Sequence, residues 1–238
     1  MFEKQIIYLE SVDSTNKYLM DGEFGQGSVV SAKCQTHGKG RGGREWKYAP
    51  GENLFFSVVL PILPREKLMG AQIAAGYAIV ETLMEYADIR LKWPNDIVCA
   101  DRKLGGLLIE THFAGSVLKK IVFGAGINLN SYPPELSARA TSLSEFTDAE
   151  LLPNVILKKA LGQLGDVFKT YTSGELDIAS EWAYYSAYYS KKMHFHRNGT
   201  LKILIEKGIT SDGRLIAQNE QGEEEIITEG EIGYDFRF

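Results

Sequence analysis

The sequence predicts an α+β fold in two parts, a large N-terminal domain over residues 1–189 and a small C-terminal β-barrel over 190–238. Three observations predict it. Apolar, β-branched runs alternate with glycine- or proline-marked loops up to about residue 130, and two later stretches carry apolar residues at helical spacing. From Lys191 onward, short strands follow one another with tight turns between them.

Gln5–Leu9 reads as a first short strand, and the polar cluster Ser11–Asn16 follows, where Asp13 or Ser14 can cap a short helix. The same hydroxyls and amides could hold a polar ligand head. Ser28–Cys34 is a strand leading into a glycine-rich loop, and Asn53–Leu60 is a buried strand. Pro64–Ala87 has helical spacing through Leu68, Ile73, Tyr77, Val80, Leu83 and Met84, with Pro64 and Glu66 at its start, and it is expected to be the longest core helix. In Arg90–Cys99 the strand should break at Pro94-Asn95-Asp96 and resume, aiming Lys92 and Asp96 out of the sheet together. Lys103–Glu110 and Ile121–Asn130 are strands that contain glycines where bulk is expected, a mark of close approach by a ligand or another backbone.

A loop from Tyr132 to about Ser144 precedes helices at Pro153–Thr172 and Ile178–Tyr189. The helical spacing of Tyr184, Tyr185, Tyr188 and Tyr189 favours packing over a binding stripe. The barrel strands are Met193–His196, Leu201–Ile209, Arg214–Gln218, Glu224–Thr228 and Gly233–Phe236, with turns at Asn198–Gly199, Asp212–Gly213 and Gln221–Gly222.

Composition narrows the function. Of 238 residues 44% are hydrophobic and 24% charged, enough for a proper core, and the net charge of −5 argues against a general nucleic-acid-binding surface. Two cysteines, Cys34 and Cys99, form neither a disulfide framework nor a metal-ligand spacing, which favours a reducing cytoplasm. No apolar run is long enough to span a membrane and no signal peptide is recognisable. The first strand starts so early that no DNA-binding helix-turn-helix is expected ahead of it. His194 and His196 share a strand face, with no third metal ligand evident.

The chemistry concentrates in Gln35–Trp46. Four glycines and three cations occupy nine positions from Gly38 before Trp46, a composition that suits a mobile loop over an anionic ligand. Ser14–Asn16, Lys92–Asp96 with Lys103–Gly106, and Gly124–Asn128 are further loops with polar or charged residues. No Ser/His/Asp or Cys/His set, Walker A motif or dinucleotide fingerprint is present. Cations with glycines point to phosphate chemistry without a covalent enzyme nucleophile, where positioning and charge neutralisation carry most of the rate and a divalent ion takes part.

These motifs together resemble the biotin protein ligases. Asp13-Ser-Thr-Asn16, Gln35-Thr-His-Gly-Lys-Gly-Arg-Gly-Gly-Arg-Glu-Trp46, Lys92-Trp-Pro-Asn-Asp96, Lys103-Leu-Gly-Gly-Leu-Leu108 and Gly124-Ala-Gly-Ile-Asn128 lie in family order at family spacing, and the resemblance covers essentially the whole chain. It implies a catalytic domain like that of class II aminoacyl-tRNA synthetases, a mixed sheet flanked by helices, with an SH3-like barrel behind it. It implies ATP-dependent attachment of biotin, through biotinyl-5′-AMP with release of pyrophosphate, to one lysine of a biotin carboxyl carrier domain of a biotin-dependent carboxylase. Mg2+ would accompany ATP. Some members pair as homodimers, edge to edge through the sheet. The resemblance is to a monofunctional ligase acting without DNA or membrane.

Carried over by position, the resemblance implies that Ser14, Thr15, Asn16, Gln35, Lys39, Gly40, Arg41, Lys103 and Gly106 bind biotin. It implies that Arg41, Arg44, Trp46, Lys92, Asn95, Lys103 and Asn128 bind ATP or the adenylate, Asn128 near the phosphates and metal. Lys103, Arg41 and Asp96 would be catalytic, Asp96 orienting the incoming lysine or taking its proton. Lys39 and Gly42 stand where arginine is usual, and Gly105 replaces a more common alanine, a change expected to be harmless. Gly230–Glu231 keeps the family pattern in the barrel, whereas Asp235 falls near a position that is basic in some members. Two rival readings are a lipoate ligase or octanoyl/lipoyl transferase on the same fold, and a non-catalytic biotin- or adenylate-sensing module. The glycine loop with Trp-Pro-Asn-Asp disfavours the first, and the presence of Lys103 and Arg41 the second.

Overall fold

The structure is a computed structural model that describes Phe2 and residues 6–49, 53–197 and 199–233. Seven strands form one mixed sheet: β1 (Ile6–Val12), β2 (Val29–Gln35), β3 (Leu54–Leu60), β4 (Ile89–Lys92), β5 (Asp96–Cys99), β6 (Arg102–Ala114) and β7 (Val117–Ile127). Their order is β1-β2-β3-β7-β6-β5-β4, with β1 and β2 parallel and every other neighbouring pair antiparallel. Helix α1 (Thr15–Asp21) makes the crossover between the two parallel strands.

Strand β3 is buried at all seven positions because both faces of the sheet are covered. Its alternation sorts the layers. Leu54, Phe56, Val58 and Leu60 join the main core with α2 (Leu68–Leu83) and α3 (Pro153–Ser173), while Val59 meets Leu19 of α1 on the other face. Twelve of the sixteen residues of α2 are buried, and alanines and glycines among them let neighbouring elements approach closely.

The predicted helix over Pro64–Ala87 is shorter in the structure. Arg65–Lys67 forms a 3-10 turn before Leu68, and the chain unwinds after Leu83 as the Tyr86 N–H returns to the Leu83 carbonyl. Met84, Tyr86 and Ala87 still pack against the core from that turn, so apolar spacing extended the expectation past the helix end. The longest helix is α3, with 21 residues. A fourth helix, α4 (Ile178–Tyr185), also stops earlier than predicted. The hydroxyl of Ser186 accepts the Tyr188 N–H, a side-chain bond that replaces the next helical turn, and Tyr189 pairs with Glu206 as a β-bridge. Tyr185 and Tyr188 are buried, whereas Tyr184 and Tyr189 are exposed.

The C-terminal part is a five-stranded antiparallel sheet of β8 (Lys192–Arg197), β9 (Thr200–Ile209), β10 (Leu215–Gln218), β11 (Glu224–Ile227) and β12 (Glu231–Ile232), in the order β11-β10-β9-β8-β12. The sequence predicted a last strand at Gly233–Phe236. Its residues from 234, Asp235 and the predicted turn residue Asn198 lie outside the described residues. Among the described residues no helix is long and apolar enough to cross a membrane.

This second sheet is fastened to the first part by specific polar contacts. The Trp93 indole donates to the Gly213 carbonyl at 3.1 Å. Gly213 has φ +91°, and a Cβ there would lie 2.9 Å from the Gly70 backbone nitrogen, so glycine fits both the turn and the docking. Glu206 on β9 is fully buried, and it accepts the Trp182 Nε1–H at 2.8 Å and the Ser186 hydroxyl. Burial pushes its carboxyl up to about 7, against those hydrogen bonds and the nearby Lys191 ammonium. The folded chain thus holds this proton more tightly than the unfolded one. Its contribution to stability is full below the ordinary value of 4.5 and is lost as pH rises through about 7. Glu206→Gln, neutral at every pH, is therefore expected to raise stability by on the order of 2 kcal/mol at about pH 8 and far less at about pH 5. Thermal denaturation at the two pH values checks this, and an equal shift at both would count against it.

Candidate active site

A cleft opens on one face of the first sheet, and glycine makes it possible. Its floor is the paired segment Gly106–Leu108 of β6 and Gly124–Gly126 of β7. A Cβ on Gly106 would meet Cζ3 of Trp46 at 2.8 Å, and one on Gly126 would meet its Cε2 at 3.1 Å. A Cβ on Gly124 would fall 2.1 Å from Asn16 Oδ1. The close approach that the sequence suggested at these glycines is thus made by the indole of Trp46 and the amide of Asn16. Gly105 is also tightly enclosed, since a Cβ there would lie 2.9 Å from the Gly126 carbonyl oxygen, so the alanine more usual at this position would require local movement here.

One end of the cleft is polar. Ser14 caps α1, its hydroxyl accepting the Lys17 N–H at 3.4 Å, while Lys17 pairs with Asp13. Gln35 Oε1 accepts both the Thr15 N–H (2.8 Å) and the Thr15 hydroxyl (3.0 Å). Ser57 on β3 lies within 2.7 Å of the Thr15 hydroxyl and 2.6 Å of Asn16 Oδ1. The Asn16 amide nitrogen donates to Glu110 at 2.8 Å. Thr15, Asn16 and Ser57 are buried, so these bonds fix their side chains.

The glycine loop forms the wall. It closes as a small hairpin, with Lys39 bridged to Glu45, the Gly40 N–H on the Arg44 carbonyl (2.7 Å) and the Trp46 N–H on the Gly38 carbonyl (2.8 Å). Gly42 and Gly43 have φ +63° and +76°, so an arginine at position 42 would adopt a strained backbone here. Lys39 faces Glu110 at 3.9 Å, and Arg44 forms an ion pair with Glu231 of β12, one of its bonds 3.0 Å long. Arg41 Nη1 and Trp46 Nε1 are buried donors with no hydrogen-bond partner among the described residues, and both residues line the cleft. Burial lowers the pKa of the Arg41 guanidinium.

The other end carries the charges. The Trp93–Pro94 peptide is cis and the chain reverses over Trp93–Asn95, so β4 and β5 form a hairpin. The expectation of a strand that breaks and resumes is corrected on this point. Lys92 and Asp96 are nonetheless brought together, as cross-strand partners 3.2 Å apart. Lys103 Nζ lies 2.6 Å from the second oxygen of Asp96 and 5.3 Å from the Trp46 ring centroid. Lys103 and Asn95 line the cleft. Lys92, by contrast, is 3% exposed and turned toward Asp96 and the second sheet, where it donates to the Ile232 carbonyl at 2.7 Å. Burial pulls its ammonium down to about 8, against the pull of Asp96. Asn128, predicted to contact ATP, is buried and is not among the residues that line the cleft. Its amide nitrogen donates to the Thr141 carbonyl, and its Oδ1 is buried without a partner among the described residues.

Sequence reasoning missed Ser57, Glu110 and the loop segment Arg139–Thr141, whose backbone pairs with both sides of Lys103. Ser57 had a signal, as the one hydroxyl in an otherwise apolar strand. Glu110 had one too, since it shares a strand face with Gly106 and Leu108. Nothing local marked Arg139–Thr141.

The model of the biotin/lipoate A/B protein ligase family matches residues 8–128. The chain belongs to that family. The bifunctional ligase/repressor BirA of Bacillus subtilis is 30% identical over 94% of this chain and 73% of its own length. The biotin–[acetyl-CoA-carboxylase] ligase of Paracoccus denitrificans is 28% identical over 92% of this chain and 96% of its own. Among solved structures, a biotin protein ligase from Aquifex aeolicus in complex with biotin and ATP matches with a TM-score of 0.82 at 27% identity, over 97% of this chain and 98% of that one. The family match spans all five motif regions, from the first strand to Asn128.

The packing of the floor predicts opposite outcomes for two glycines. Gly124→Ala must displace Asn16 and should cost about 1–3 kcal/mol. Gly162→Ala, in open space on α3, should stabilise by about 0.5–1 kcal/mol. Chemical denaturation of both variants checks the contrast.

Proposed function

We propose that this chain is a biotin protein ligase that activates biotin with ATP and transfers it to a lysine of a biotin carboxyl carrier domain. The observation that carries the reading is a pair of buried donors in the cleft wall, Arg41 Nη1 and Trp46 Nε1, that have no partner among the described residues. Leaving such donors dry costs about 1–3 kcal/mol each, more when charged, and a ligand bearing a carboxylate and phosphates supplies the acceptors.

In the first step the biotin carboxylate attacks the α-phosphorus of ATP and pyrophosphate leaves. Lys103 lines the cleft with a compact charge suited to the carboxylate and the developing charge on phosphorus. Arg41 contributes a second cation from the wall. In the next step the acceptor amine attacks the acyl carbon of biotinyl-5′-AMP, the amide forms, AMP leaves, and Asp96 takes the proton released by the amine. Lys39, Gly40, Arg44, Trp46, Asn95 and Gly106 enclose the ligand between wall and floor. The hydroxyls and amides of Ser14, Thr15, Asn16 and Gln35 suit a ureido ring, which both donates and accepts. A dithiolane offers no group that could bond with this polar network, which favours biotin over lipoate.

Among the described residues no cluster of His, Cys, Asp and Glu forms a metal site. The orphaned Oδ1 of Asn128 fits a hard cation that arrives with nucleotide and takes most of its ligands from phosphate and water. Mg2+ bound there would neutralise phosphate charge. The net charge of −5 and the free cysteines favour a cytoplasmic ligase acting without DNA.

The test is incubation with ATP, magnesium, biotin and a carrier domain, followed by mass spectrometry. One biotin per carrier is expected, and acceptance of lipoate in its place would overturn the reading. Lys103→Ala should slow adenylate formation by about 100-fold or more, and a parent-like rate would remove the role given to Lys103. Arg41→Gly should raise the off-rate of biotinyl-5′-AMP by about 10–100-fold, read as labelling of stray lysines on bystander proteins.

A further inference from the structure

Asp96 is held by two lysines that differ in what else they can reach. Lys103 sits on one carboxylate oxygen and lines the cleft, so a ligand anion can draw it away. Lys92 sits on the other oxygen from behind, buried, and is tied to the backbone carbonyl of Ile232 in the second sheet. A carboxylate as enclosed as Asp96 is costly to leave ionised unless a counter-charge remains beside it.

We propose that Lys92 is a positioning residue: it keeps Asp96 ionised and aimed at the cleft while Lys103 is engaged on the ligand, and β12 of the second sheet holds it in place. The inference rests on the proton-accepting role given to Asp96 above. It moves Lys92 from nucleotide contact to a role behind the cleft. Among the described residues, the charged and titratable groups that act on the pair include Lys103 from β6, Glu231 from β12, Arg41 from the glycine loop and Tyr188 from the segment after α4. Burial lowers the pKa of Lys92, and Asp96 at 3.2 Å and Glu231 act against that lowering.

The experiment measures transfer from preformed biotinyl-5′-AMP to a carrier domain as a function of pH. Lys92→Gln keeps a hydrogen-bond donor but carries no charge. Removing a cation beside a carboxylate raises its pKa, so the acid limb of the transfer rate should move up by about one pH unit. Lys92→Arg keeps the charge and should leave the limb within about 0.3 of the parent. A uniform loss at every pH with the limb unmoved would mean a merely structural role and overturn the proposal. Asp96→Asn separates the two ideas. If it transfers at the parent rate, the reading of Asp96 fails; if it loses transfer while Lys92→Gln leaves the limb in place, only the role of Lys92 fails.

A measurement on the unmodified protein covers the case in which neither lysine variant folds. Calorimetry of a non-reactive biotinyl-sulfamoyl-adenosine near neutral pH, in two buffers of different ionisation enthalpy, counts protons taken up on binding. Uptake below about 0.3 proton per protein is expected if Asp96 stays ionised, and uptake near one overturns the proposal.

Discussion

The site depends on three glycines in the floor of the sheet, Gly106, Gly124 and Gly126. Where Gly106 pairs with Gly126 two central strands present bare backbone, and β7 does so again at Gly124, opposite Leu108. The indole of Trp46 and the amide of Asn16 occupy the space that Cβ atoms would take. Glycine normally weakens a strand, so the arrangement trades local stability for room. Apolar pairing on either side of the glycines, Leu54 with Ile127 and Val58–Leu60 with Ile121–Phe123, keeps the sheet intact around the gap.

Around this floor each wall comes from a different part of the chain. The start of α1 supplies a buried polar network, the hairpin of Lys39–Glu45 supplies cations, and the β4–β5 hairpin supplies Asp96 and Lys92, with Lys103 joining them from β6. The two residues of β12 touch two of these walls, through the Glu231 side chain on Arg44 and through the Ile232 carbonyl on Lys92. The second sheet therefore takes part in the architecture of the cleft as well as in the packing of α4.

Much of this was legible in the sequence, for identifiable reasons. β3, β7, α2 and α3 follow from apolar spacing, because burial on one or both faces is a local signal. The glycine loop and the lysine–aspartate stretch were legible because their composition is unfavourable for ordinary packing. What sequence could not give was distance across the fold. Ser57 meets Thr15 and Asn16 across the sheet, and Arg139–Thr141 flanks Lys103 through backbone bonds that any residues could make. Periodicity also overran the helix ends at Leu83 and Tyr185, because residues in the following turns remain apolar and inward-facing. The departure from expectation at Pro94 has the same character, since a proline interrupts a strand without saying whether the chain then continues or reverses.

The ion pair between Arg44 and Glu231 joins residues 187 positions apart. Contacts of such separation carry a large loop-closure cost, and they form only once the structures at both ends exist to present them. The wall of the cleft is thereby tied to the completion of the last short strand of the second sheet. A partly folded molecule with only its first sheet assembled would have the floor and the polar end of the cleft but neither anchor from β12. Completion of the site is in this sense a check on both sheets, since a molecule that can hold its ligand firmly has already folded as far as β12.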